Sequence, residues 1–245
     1  MIKKSLPNFF TVGNLAMGMI AIILVFNDEP IFGAIMIVIA MLLDGLDGRV
    51  ARALNVQSEF GKELDSLSDV ISFGVAPAFV MYVTAFQGEP NLNVALTWIV
   101  TVIFPICGAL RLARFNVAPD DTPGYFIGMP IPMAGGALAM LAIFNERIIE
   151  YTHLYVLIGL TLLLSYLMVS KHKYPSFKKA GIPKSLIWVL IGLLVLTLVV
   201  IIWFPKQLAE LILVPFLIYT IYGFVKKKDV ATNNHANTVT ISDKK

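Results

Sequence analysis

The feature that most constrains this chain is the recurrence of apolar runs of about 20 residues, long enough to cross a bilayer as helices. Eight can be drawn, at about 8–26, 31–52, 65–86, 95–115, 130–147, 153–170, 185–204 and 208–225. The breaks between them are short and carry turn residues, among them Asn27-Asp28-Glu29-Pro30, Gln87-Gly88-Glu89-Pro90 and Pro205-Lys206. A bilayer interior offers no water to backbone amides, so spans of this length must bond internally as helices. The expected fold is therefore all-α, a polytopic membrane bundle of about eight transmembrane helices. Only 14% of residues are charged, against roughly 25% in soluble domains. The net charge of +3 is small and implies no nucleic-acid partner.

Charge placement gives an orientation. With both termini inside, seventeen of the nineteen Lys and Arg residues fall on the inner side, and only Arg147 and Lys206 outside. Cytoplasmic loops collect such charges. The expectation is a multi-pass protein of the cell membrane with cytosolic termini. The first run is too long for a signal-peptide core and no small-x-small site follows it, so it reads as a spanning helix. The basic stretch at about 171–184 reads as an inner rim facing anionic lipid heads. The tail after Lys228 is polar and reads as disordered. The single cysteine, Cys107, lies in an apolar run and reads as a packing residue.

The second run ends unusually, as Asp44-Gly45-Leu46-Asp47-Gly48-Arg49-Val50-Ala51-Arg52, and Gly61, Asp65 and Asp69 follow. Ionisable groups at membrane depth are costly and usually serve a cavity. At about 100° per residue, Asp44, Asp47, Gly48, Ala51 and Arg52 share one helix face, within roughly 140° of arc. Gly61, Asp65 and Asp69, spaced four apart, form a second stripe. If the two helices pack side by side, four aspartates converge. They would repel one another without a cation, and an all-oxygen set suits Mg²⁺ or Mn²⁺. Gly48 and Ala51 leave room for a ligand, and Arg52 can meet phosphate oxygens. The active site is then cytosolic.

The pattern Asp44-x2-Asp47-Gly48-x2-Ala51-Arg52-x8-Gly61-x3-Asp65-x3-Asp69 resembles the signature of the CDP-alcohol phosphatidyltransferases, with every fixed position present. The resemblance implies a six-helix core, a homodimer, a metal site held by the four aspartates, and Asp69 as general base. Asp44, Asp47 and Asp65 are the best metal ligands, with Asp69 shared or not. The domain reading is a core over 1–170, a basic loop with two added helices over 171–228, and a cytosolic tail over 229–245.

Flanking segments resemble the phosphatidylserine synthase branch of that family. They are Leu6-Pro7-Asn8 with Thr11 and Asn14, the stretch Asp65 to Ala78, Leu110-Arg111-Leu112-Ala113-Arg114-Phe115-Asn116, and Phe126-x-Gly128-x-Pro130-x-Pro132. The implied substrates are CDP-diacylglycerol and L-serine. Arg111 and Arg114 are candidates for the serine carboxylate or a phosphate, with Lys62 and Ser72 beside them. Gly48, Ala51, Arg52, Gly61, Asn14 and Thr11 are the expected contacts to the CDP-lipid. Pro105 is expected to kink the fourth helix, and Gly135 and Gly136 to let helices approach closely. His153, His172 and His235 are discounted as metal ligands.

Two rivals remain open at this point. The acceptor could be glycerol 3-phosphate, inositol or inositol phosphate, since Arg111 and Arg114 would also suit a phosphate. A cation-coupled transporter would need ionisable residues across the bilayer depth, and here they cluster at one end of the helices.

Overall fold

The computed structural model describes residues 2–90, 92–117, 125–145, 151–175 and 218–220. Helix α1 (Ile2–Phe26) and helix α2 (Pro30–Ala53) pack along their length as an antiparallel pair. The turn between them is compact because Asp28 takes the left-handed conformation, φ 59°, and Pro30 opens α2 where no N–H is needed. Gly33 lets α2 approach closely: a Cβ there would reach the Ala21 carbonyl oxygen at 3.0 Å.

The third span runs from Glu59 to Phe86 and so begins six residues before the expected start. Ser58 caps it, its hydroxyl accepting the Gly61 N–H at 3.1 Å. The span is not uniformly α-helical. Helix α3 (Glu59–Asp69) passes into a π-helical stretch, Val70–Val75, then α4 (Ala76–Met81), then a second π-helical stretch, Tyr82–Phe86. Pro77 accounts for the first. Proline has no N–H to give the carbonyl four residues back, and the Ala76 N–H instead reaches five residues back to Ile71.

Helix α5 (Val94–Val117) contains Pro105, and against that residue packs Gly74 of the π-helical stretch. Helix α6 (Ile131–Asn145) is apolar all round and its residues from Ala137 to Ile143 are buried, as a central helix requires. Helix α7 (Tyr151–Val169) packs on α5. Two short strands, β1 (Tyr125–Ile127) and β2 (Lys173–Pro175), pair antiparallel with Phe126 opposite Tyr174. These strands are a small addition to an otherwise helical fold. At three residues each they are too short to show an alternating pattern.

Among the described residues, four helices are long and apolar enough to cross a membrane: Leu6–Phe26, Pro30–Ala53, Glu59–Phe86 and Val94–Val117. Ile131–Ile143 and Leu154–Val169 are shorter apolar helices. The outward side chains of α1 and α5, including Phe9, Ile23, Trp98, Ile99 and Leu110, are large, apolar and exposed, the surface a lipid environment calls for. The chain is a helical membrane protein. The expected seventh span lies outside the described residues, as do the eighth, apart from Ile218–Thr220, and the tail.

Candidate metal centre

The last turns of α2 and the first turns of α3 meet with their carboxylates facing one another. One oxygen from each of Asp44, Asp47 and Asp65 lies within 4.8 Å of the others. Three residues apart on α2, Asp44 and Asp47 share a face, and α3, which packs on α1, brings Asp65 opposite them. Asp47 is buried, and Asp44 and Asp65 are half-buried. Three carboxylates at this separation demand a counter-charge, and their hard oxygens fit a divalent cation such as Mg²⁺ or Mn²⁺.

Helix α1 supplies the groups that orient the acids. The Thr11 hydroxyl donates to Asp47 Oδ2 at 2.8 Å, with the Pro7 carbonyl also in reach at 3.2 Å. Asn14 is buried and its Nδ2 donates to Asp69 Oδ1 at 3.3 Å. Ser72 in turn donates to the Asn14 carbonyl at 2.9 Å. Thr11, Asn14 and Ser72 thus meet carboxylates and backbone here, forming the outer support of the acid cluster. The approach is close: a Cβ on Gly18 of α1 would come within 2.7 Å of the Ser72 Cα.

Asp69 stands apart from the trio. It is buried, one helical turn after Asp65, and lies within electrostatic reach of Asp44, Asp65, Asp47 and Arg111. The four expected acids therefore divide into three with converging oxygens and one set back against Asn14.

The small residues have different local reasons. A Cβ on Gly48 would touch the Arg52 Nη1 at 3.4 Å, so the Arg52 guanidinium folds back over that glycine. A Cβ on Gly61 would lie 3.1 Å from both Asn8 Oδ1 and Ser58 Oγ. Gly61 is thus hemmed in by the cap of its own helix. Ala51 is half-buried and Arg52 exposed.

The two arginines of α5 diverge. Arg111 is buried, stacks over Phe115 with its guanidinium 5.4 Å from the ring centre, and faces the Asp69 side. Arg114 spends its fork on backbone. Nη1 donates to the Val169 carbonyl at 2.9 Å, and Nη2 to Ile127 at 3.0 Å and Ser170 at 3.4 Å. It ties α5 to the end of α7 and to β1. Lys62 donates to the Asn116 carbonyl at 3.4 Å.

Asn116 has a role that its sequence context did not suggest. Its Nδ2 donates to Ser66 Oγ at 2.9 Å, and Ser66 is also bonded to the Lys62 carbonyl at 3.1 Å. This clasp joins the end of α5 to the helix bearing Asp65. Asn116 ends the Leu-Arg-Leu-Ala-Arg-Phe-Asn segment, which was the available signal. His172 is buried, bonded to Ser170 through Nδ1 at 3.0 Å.

Comparison with known proteins bears on this geometry. The model of the CDP-alcohol phosphatidyltransferase family matches residues 4–167, which include all four aspartates and both arginines. Three similar proteins carry the name CDP-diacylglycerol–serine O-phosphatidyltransferase. The Helicobacter pylori protein is 36% identical over 223 residues, 90% of each chain. The Bacillus subtilis protein is 40% identical over 174 residues, 71% of this chain and 92% of that one. The Methanocaldococcus jannaschii protein is 38% identical over 225 residues, 91% of this chain and 94% of that one.

Proposed function

The chain belongs to the CDP-alcohol phosphatidyltransferase family, and from that premise we propose that it transfers the phosphatidyl group of CDP-diacylglycerol to the hydroxyl of L-serine, giving phosphatidylserine and CMP. The acceptor comes from the relatives' shared name. The observation that carries the chemistry is the three carboxylate oxygens within 4.8 Å of one another, beside a buried fourth carboxylate held by Asn14.

Asp44, Asp47 and Asp65 would hold the divalent cation, Mg²⁺ or Mn²⁺. When bound, such an ion neutralises the two phosphates of the donor and stabilises CMP as it leaves. Asp69 takes the proton of the serine hydroxyl. The freed oxygen forms a bond to the lipid-linked phosphorus, the bond from that phosphorus to the CMP oxygen breaks, and CMP departs with the electron pair. Asn14 keeps Asp69 turned toward the acceptor. Arg111 offsets the gathered negative charge and offers the serine carboxylate a bidentate partner. Arg52, exposed at the mouth of the cluster, meets donor phosphate, with Gly48 and Ala51 keeping the helix face low beside it. Most of the rate is positioning and charge stabilisation.

The same reading includes a six-helix core over 1–170, two further spans, a cytosolic tail, a homodimer, and an active site on the cytosolic side with both termini. The charge asymmetry of the loops supports the orientation.

The test is an acceptor screen on the purified chain in detergent, with CDP-diacylglycerol and Mg²⁺ or Mn²⁺. CMP release is scored with serine, glycerol 3-phosphate, inositol and inositol phosphate. Release with serine alone, lost on chelation and restored by the metal, is the expected result. Release with another acceptor alone would keep the carboxylate chemistry and reject serine.

A further inference from the structure

Tyr174 of β2 has a fully buried side chain, yet its hydroxyl has no hydrogen-bond partner among the described residues. A buried phenol normally finds one, so an orphan of this kind asks what it meets in the working protein. Its surroundings are fixed firmly. Tyr174 faces Phe126 across the two-stranded pair. That pair is pinned from both sides by the Arg114 fork, which binds the Ile127 and Ser170 carbonyls. The Gly128 N–H adds a bond to the His172 carbonyl at 2.8 Å. Gly128 is at φ 81°, and a Cβ there would lie 2.8 Å from Arg114 Nη2. The hydroxyl is therefore held in place by backbone that has little freedom to move.

The neighbour of Tyr174 points back to the chemistry. Tyr219, from the C-terminal helical stretch Ile218–Thr220, stacks on Tyr174 with ring centres 5.3 Å apart and planes inclined by 26°. Tyr174 also stands opposite Phe126, Phe126 packs edge-on against Phe115 with ring centres 6.3 Å apart, and the Arg111 guanidinium lies over Phe115 at 5.4 Å. Arg111, Phe115, Phe126 and Tyr174 thus form a run of neighbouring side chains that ends at the orphan hydroxyl. Resting on the serine-transfer reading, we propose that the Tyr174 hydroxyl, together with the Arg111 guanidinium, binds the carboxylate of the amino-acid acceptor.

The chemistry suits the task. A carboxylate accepts hydrogen bonds and gives none, and the phenol and guanidinium are both donors. Burial pushes the Tyr174 phenol up to about 12, so it keeps its proton, and its capacity to donate, across any working pH. The carboxylate would then sit on the Arg111 side of Asp69, leaving the serine hydroxyl free to turn toward the base. In this arrangement Tyr219 is a positioning residue that holds the Tyr174 ring by stacking. It also puts the stretch Ile218–Thr220 beside the acceptor site.

The experiment compares the wild-type full chain with Tyr174→Phe in detergent, titrating serine at saturating CDP-diacylglycerol and metal, and separately titrating CDP-diacylglycerol. Loss of a hydrogen bond to a charged group should raise the KM for serine about tenfold. The KM for CDP-diacylglycerol should hold, and melting temperature should hold or rise, because the ring and its stacking remain. An unchanged serine KM in an active variant overturns this assignment alone. A lower melting temperature overturns it too, by showing the hydroxyl to be a structural partner. Wild-type protein that ignores serine but releases CMP with another acceptor overturns the serine reading, and this inference with it.

Discussion

The Thr11 hydroxyl donates to Asp47 Oδ2 at 2.8 Å, so a residue of the first helix fixes the rotamer of a carboxylate on the second. Outer partners of this kind typically govern about 10- to 100-fold in metal affinity. Thr11→Val keeps the shape and removes the donor. The expected result is a metal concentration for half-maximal activity raised about tenfold, with kcat at saturating metal much less affected. Thr11→Ser should restore most of the loss. Metal titration of CMP release reads both.

The acid cluster makes opposite predictions with and without metal. Asp44, Asp47 and Asp65 hold like charges within 4.8 Å, and like charges at close range destabilise. Asp65→Asn removes one of them. In chelator, its melting temperature should equal or exceed the wild-type value. On adding Mg²⁺ the wild type should rise by several degrees, about 2–4 °C for each kcal/mol of binding, while the variant rises little and turns over at a small fraction of the wild-type rate. A variant that melts like wild type in both conditions and keeps normal activity would remove Asp65 from the metal set.

Glycine positions separate packing from propensity. A Cβ on Gly135 of α6 would collide with the Phe73 carbonyl oxygen and come within 2.9 Å of the Phe73 Cα. Phe73 belongs to the π-helical stretch directly after Asp69. Gly135→Ala should cost about 1–3 kcal/mol by overpacking and lower kcat by displacing the segment directly after Asp69. Gly159→Ala on α7 meets nothing within 4 Å, so helix propensity should stabilise it by up to about 1 kcal/mol. Thermal melts of the two variants, run side by side, test this contrast.

Much of this was readable in the residues, for identifiable reasons. Run length locates α1, α2 and α5 to within a few residues at most ends, because bilayer crossing ties apolar length to helix length. The grouping of Asp44, Asp47 and Asp65 follows from helical spacing on two adjacent segments. Other features depend on tertiary contact and had no local signature. Pro77 marks a disturbed ladder, but whether the helix kinks or widens into a π turn depends on what packs beside it, here Gly135 and Pro105. Strands β1 and β2 exist because two loops meet, and Tyr-Phe-Ile or Lys-Tyr-Pro alone gives no sign of that. Arg111 and Arg114 sit three apart on one helix and look alike in sequence. Only their neighbours, Phe115 and the Asp69 side for one and three carbonyls for the other, distinguish them.

That divergence gives the last prediction. The Arg114 fork bridges the Val169, Ile127 and Ser170 carbonyls with two nitrogens, a planar arrangement that a lysine ammonium does not reproduce. Arg114→Lys should therefore lose stability first, by about 2 kcal/mol for charge-assisted hydrogen bonds, seen as a melting temperature several degrees lower. Any rise in the serine KM should be modest and follow the loosening of β1 and β2. Arg111→Lys should do the reverse. It keeps a positive charge facing Asp69 but loses the bidentate geometry, so the serine KM should rise at least about tenfold with a smaller change in melting temperature. The discriminating quantity is the ratio of KM change to melting-temperature change in the two variants. If Arg114→Lys instead gave the larger KM effect at unchanged stability, Arg114 would be the acceptor contact, and its carbonyl bonds would have to open when the acceptor binds.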